Sequence, residues 1–196
     1  MRALILVAAL ATVANASPWK TTRGTLEAGR APGSFVLTTD AAPGRYSEAG
    51  MITTEPVALP FTLSAKWRRL GPEAGRSMHV LVAGGVVLIK TGAIAFYAYD
   101  DASFAQGDWK PIAVKTVATE HAISVHQDAH RVTVTLDGAE VARYDLEVAR
   151  PTAHVGFGMK GAPSMRSAIV VRDVAWESGL SASAAEALRD RARAVE

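Results

Sequence analysis

Apolar and polar residues alternate with a period of two through much of this chain. Phe61, Leu63, Ala65 and Trp67 oppose Thr62, Ser64, Lys66 and Arg68. Val132, Val134 and Leu136 oppose Arg131, Thr133 and Thr135, and Val155, Phe157 and Met159 oppose His154, Gly156, Gly158 and Lys160. Successive side chains of a strand point to opposite faces, so each run predicts a strand with one face in a core. Short β-rich runs parted by turn residues continue along the chain, at 34–40, 50–54, 60–70, 77–83, 86–90, 93–99, 122–127, 131–136, 139–146, 154–160 and 168–176.

Turn chemistry joins these runs into antiparallel pairs. Asp137-Gly138 separates two of them and predicts a two-residue type I′ hairpin, whose central residues both need positive φ. Thr91-Gly92 stands in the same relation to 86–90 and 93–99. The lack of a helical period between the pairs argues against an α/β fold, and an all-β, antiparallel jelly-roll β-sandwich is expected. The polar stretch 17–33, punctuated by Gly24, Gly29, Pro32 and Gly33, reads as an extended lead-in with one early strand at 25–27. One helix is expected, in the tail at 179–196, where Ser183 caps and Glu186 completes a capping box before Ala187, Leu188, Ala192 and Val195. Its apolar stripe is mostly alanine, which suits a solvated or partly docked tail more than a partner-binding helix.

Residues 1–16 change the cellular picture. Met1 and Arg2 form a short basic region, an apolar run follows to Val13, and Ala14-Asn15-Ala16 matches a small-residue cleavage site. The run falls short of the roughly 20 apolar residues that span a bilayer. A signal peptide is expected, with a secreted or periplasmic mature chain of about 180 residues, enough for one domain with a full core. The absence of Cys excludes disulfides, thiolate metal sites and thiol nucleophiles. Lys and Arg number 21 against 19 Asp and Glu, and loss of Arg2 leaves 20 against 19. Arg68-Arg69 is the densest basic spot, and without a basic stripe nucleic-acid binding is not expected.

The run Arg131-Val-Thr-Val-Thr-Leu-Asp-Gly-Ala-Glu-Val-Ala, then His154-Val-Gly-Phe-Gly-Met and Ala168-Ile-Val-Val-Arg-Asp-Val-Ala-Trp176, resembles the closing half of concanavalin A-like jelly rolls, including laminin G-like and glycoside-hydrolase-like members. Trp109 fits the tryptophan that often precedes this half, and the likeness covers roughly residues 60–177. The resemblance implies glycan binding or cleavage on a concave sheet or loop rim, sometimes with calcium. Its polysaccharide-cleaving branch carries Glu-x-Asp-x-Glu on one strand face, and this chain has no such motif. The nearest approach is Asp145-Leu-Glu147, with Arg143 where the preceding carboxylate should stand.

Other constellations have plain structural readings. Gly156-Phe-Gly158-Met-Lys-Gly161 matches a dinucleotide fingerprint but lies on an alternating strand with no helix after it, so close packing explains it better. His121, His126 and His130 have metal-ligand chemistry, and exposed turn positions account for them more simply. Asp100, Asp101 and Asp108 supply hard oxygens that would suit calcium, or form a solvated acidic loop. In 93–99, Ile94, Phe96 and Ala98 are expected to face the core while Ala95, Tyr97 and Tyr99 face away. Tyrosine rings on an outer face can stack on sugar C–H faces, or serve as cross-strand packing partners. His79, His154 and Lys160 join them if their strands share that sheet. The expectation is thus an exported non-catalytic domain binding carbohydrate or another cell-envelope ligand through Tyr97, Tyr99, His79, His154 and Lys160. The alternatives are a glycoside hydrolase-like enzyme of the same fold, and a structural or assembly subunit contacting other chains through its tail.

Overall fold

The computed structural model describes residues 18–39, 44, 46–70, 77–90, 92–98, 112–113, 120–146, 152–163 and 166–178. The expected signal peptide and tail helix lie outside them. Among the described residues the chain is all β, with no helix. Its strands are β1 (Trp19–Arg23), β2 (Thr25–Ala28), β3 (Phe35–Thr38), β4 (Tyr46–Thr53), β5 (Val57–Ala58), β6 (Phe61–Leu70), β7 (Ser77–Val82) and β8 (Gly85–Lys90). They continue as β9 (Ala93–Ala98), β10 (Ile112–Ala113), β11 (Glu120–Gln127), β12 (Arg131–Leu136), β13 (Ala139–Asp145), β14 (Thr152–Ala153), β15 (Gly156–Pro163) and β16 (Ala168–Ser178).

Two seven-stranded antiparallel sheets form the sandwich: sheet I in the order β1-β4-β15-β7-β8-β9-β10, and sheet II in the order β13-β12-β11-β6-β16-β3-β2. A two-stranded ribbon, β14-β5, stands beside them. The alternation read from sequence decides the inward face of each strand. Met51, Met78, Val80, Val87, Ile89, Ile94, Phe96, Phe157 and Met159 of sheet I meet Leu37, Phe61, Leu63, Trp67, Ile123, Val125, Val132, Val134, Ile169 and Val171 of sheet II in one buried core. The Asp137-Gly138 turn has φ of 52° and 85°, both in the left-handed region a type I′ hairpin requires.

Two features depart from simple alternation. The lead-in gives an edge strand to each sheet, β1 to sheet I and β2 to sheet II, and of the five residues in β1 only Trp19 is buried. In β16 the register against β6 shifts between Arg172 and Ala175, and Asp173 sits there at φ 53°. This bulge changes the phase of the strand, so Ile169 and Val171 face inward before it and Trp176 after it. Trp176 then meets Trp19 edge-on, ring centroids 5.1 Å apart, tying the first strand to the last.

Tyr144 of β13 stacks on Phe96 of β9 across the sandwich at 5.3 Å. Its hydroxyl is buried with no hydrogen-bond partner, and burial pushes its pKa up to about 12. Tyr144→Phe keeps the stack and removes the stranded hydroxyl. The variant should therefore be more stable by about 1 kcal/mol, read from urea-unfolding midpoints; a loss of stability would show that the hydroxyl is solvated.

Candidate functional site

The face of sheet I turned away from the core collects residues far apart in sequence. One rung runs Ile52, Gly156, Leu81, Val86, Tyr97 across β4, β15, β7, β8 and β9. The next runs Gly50, Gly158, His79, Leu88, Ala95. The third begins Glu48, Lys160, Ser77, with Lys90 and Ala93 paired on the strands beyond. Parity places Tyr46 at the end of the same face of β4. His79, Lys160 and Tyr97, chosen from sequence for their chemistry, thus share one face, with Tyr97 two strands or about 10 Å across from His79.

The two halves of this face differ. Val86, Leu88 and Ala95 are buried, so the middle of the β8–β9 half is an apolar patch, with Tyr97 and Lys90 partly exposed at its ends. The β4–β15–β7 half is polar. Gly158 leaves a low spot there for want of a side chain: a Cβ added to it would press on the Ala49 carbonyl oxygen of β4 at 3.0 Å and meet the Cβ of His79 at 3.6 Å. Tyr46 is 48% exposed and the Lys160 ammonium lies 4.7 Å above its ring centroid, a cation–π arrangement. Arg23 and Glu48 form an exposed ion pair at the β1 side.

His79 is the most perturbed group on the face. Burial, then the positive charges of Lys160 and Lys90, lower its pKa to about 4. The ring is therefore neutral at pH 7, with Nε2 2.9 Å from Ser77 Oγ. A neutral imidazole offers one donor and one acceptor nitrogen, the kind of group that reads hydroxyls.

His154 lies two residues before Gly156, exposed, and its Nδ1 donates to the Thr53 carbonyl at 2.8 Å. Tyr99, Asp100, Asp101 and Asp108 lie outside the described residues. Among the described residues no three His, Asp or Glu side chains converge in a way that could hold a metal. His121 and His126 point to opposite faces of β11. His126 is exposed beside Thr62, whereas His121 is buried against Trp67 at 5.3 Å with its Nδ1 2.8 Å from Asp137 Oδ2. Asp137 also accepts the Ala122 N–H at 2.8 Å. These contacts brace the β12–β13 hairpin and make His121 structural instead of an exposed turn residue. Asp145 is paired with Arg131 at 2.7 Å. The glycine pattern 156–161 is on a strand: a Cβ at Gly156 would come within 2.0 Å of the Met51 carbonyl oxygen, so close backbone approach explains it.

Sequence reasoning missed Tyr46 and Glu48. Tyr46, Glu48, Gly50 and Ile52 alternate with the buried Ser47, Ala49 and Met51, but the run expected from sequence begins only at Gly50 and leaves both residues outside it.

No protein-family profile matches the chain, and no curated protein matches it in sequence. Solved structures do resemble it. The carbohydrate binding module CBM66 from Bacillus subtilis superposes with a TM-score of 0.64 at 13% identity, over 84% of this chain and 98% of that one. A legume lectin-like domain from Entamoeba histolytica gives 0.61 at 12% identity, over 82% and 90%. The VIP36 exoplasmic/lumenal domain, solved in a Ca2+/Man3GlcNAc-bound form, gives 0.56 at 11% identity, over 83% and 86%. At such identities the likeness is one of fold, and with its paired seven-stranded antiparallel sheets this chain has the concanavalin A-like lectin fold.

Proposed function

We propose that the protein is an exported, non-catalytic carbohydrate-binding domain whose ligand lies on the outer face of sheet I, where β4, β15 and β7 run side by side. The observation that carries this reading is the gathering of Tyr46, Glu48, His79 and Lys160 around the Gly158 low spot, with Tyr97 beyond the apolar patch. A sugar presents hydroxyls and an apolar C–H face together. The face answers with a tyrosine ring for stacking and a carboxylate, a neutral imidazole and an ammonium for hydroxyl hydrogen bonds. The solved neighbours that are carbohydrate-binding or lectin domains support it, and the basic, apolar and small-residue order of residues 1–16 supports export.

A glycan-array screen of the purified protein tests it. A hit should weaken at least tenfold in Lys160→Ala and in the Tyr46→Ala/Tyr97→Ala double variant, the equivalent of about 1.4 kcal/mol, while their melting temperatures hold. A folded wild type that binds no glycan, or a hit that both variants retain, would sink the reading.

A further inference from the structure

The opposite side of the sandwich carries a cavity that the proposed glycan face does not use. It lies on the outer surface of sheet II beneath the β2–β3 loop and has a volume of about 770 Å³, within the usual range for small-molecule sites. Its floor is a rung of four strands, Glu120, Arg68, Val170, Val36, with Leu70 at one end. Three lining residues are thus aliphatic on a face turned away from the core.

The loop that roofs the cavity is locked. Gly29 N donates to the Ser34 carbonyl at 2.7 Å, and Ser34 N to the Ala31 carbonyl at 3.0 Å. Ser34 Oγ donates to the same Ala31 carbonyl at 2.6 Å. Gly29 has no room for a side chain, because its Cβ would fall 2.1 Å from Ser34 Oγ. Arg30 is carried on this fixed turn at the cavity wall.

Charge in the cavity is unbalanced. Arg172 is satisfied, with Nε donating to Glu120 Oε2 at 3.0 Å, Nη2 donating to Glu120 Oε1 and Nη1 donating to Asp173 Oδ2 at 3.1 Å. Arg30 and Arg68 line the same space and have no ion pair or hydrogen bond from the described residues. The wall therefore already shows a guanidinium taking a carboxylate in fork geometry, with two further guanidinium groups beside an alkyl floor and no aromatic ring.

We propose that this cavity is a second binding site, separate from the glycan face, for a small organic carboxylate with an alkyl body. The carboxylate takes the forks of Arg68 and Arg30, which suit planar bidentate recognition, and the alkyl chain lies on Val36, Val170 and Leu70. The aliphatic floor selects against a sugar ring, which would call for an aromatic platform.

Octanoate is the probe, titrated calorimetrically into the intact protein, with octanol and acetate separating body from charge. Octanoate should bind with a Kd at or below about 1 mM, and octanol and acetate at least tenfold more weakly. Arg30→Gln/Arg68→Gln should lose octanoate at least tenfold without moving the melting temperature or any glycan binding. Glu120→Gln removes the competing carboxylate and frees Arg172, so octanoate should bind several-fold tighter, a gain that misfolding cannot produce. Absence of octanoate binding, equal binding of octanol or acetate, or indifference to both sets of variants overturns the proposal.

Discussion

Between pH 7 and pH 4 the folded protein should lose up to about 3 kcal/mol of stability at His79, and His79→Gln should escape that loss. The folded imidazole takes up a proton only near pH 4, because burial, Lys160 and Lys90 oppose its charge; the unfolded one does so near its ordinary 6.5. The unfolded chain therefore binds the extra proton first as pH falls. The stabilising effect of the neutral ring is full above pH 6.5, drains away between 6.5 and 4, and is gone below. Among the described residues the groups that face the ring are Ser77 on its own strand, Leu88 and Lys90 from β8, and Gly158 and Lys160 from β15. Urea unfolding of wild type and variant at pH 7.5, 5.5 and 4 isolates the difference, since the remaining titratable groups are common to both. Lys160→Met should recover part of the loss by removing a repelling charge. Parallel wild-type and variant curves would mean that the folded ring accepts a proton as readily as the unfolded one.

Gln127→Leu should cost about 3 to 5 kcal/mol, read from urea unfolding at pH 7. Gln127 is the last residue of β11, fully buried, and its amide closes a two-way link to the turn after β7. Its Nε2 donates to the Ala83 carbonyl at 2.7 Å, and its Oε1 accepts the Ala83 N–H at 2.9 Å. Leucine fills the space but leaves a donor and an acceptor of Ala83 stranded in the core, where water cannot replace the amide. The link also joins the two sheets, so its loss falls on the sandwich as a whole and not on one hairpin. A cost below about 1 kcal/mol would mean that the Ala83 peptide finds other partners.

Gln127 shows how far sequence carries. Gln127 ends an alternating run, and its inward phase follows from Ile123 and Val125, but a polar residue at a core phase does not announce its partner 44 residues away. The Trp19–Arg23 strand has the weakest local signal, since a sheet-edge strand with one buried residue shows no alternation; its place follows from pairing with β4 and from Trp19 meeting Trp176. In β16 the phase slip is written in the sequence as Ile169, Val171, then Val174 and Trp176. Only the ladder against β6, with Asp173 in the left-handed region, makes it a bulge.

Alternation, turn residues and the absence of helical periods determined by themselves that this chain is an antiparallel sandwich, and which side chains of most strands face inward. Those are local properties, set by the pleat and by φ at particular residues. Which strands lie side by side was decided by the tertiary structure alone, because pairing depends on packing between segments far apart in the chain. β15 enters between β4 and β7, and that insertion brings Lys160 beside His79 and Glu48. In the other sheet β16 lies between β6 and β3, which sets Val170 between Arg68 and Val36. Period two says that a residue faces outward; the order of strands says what it faces outward with.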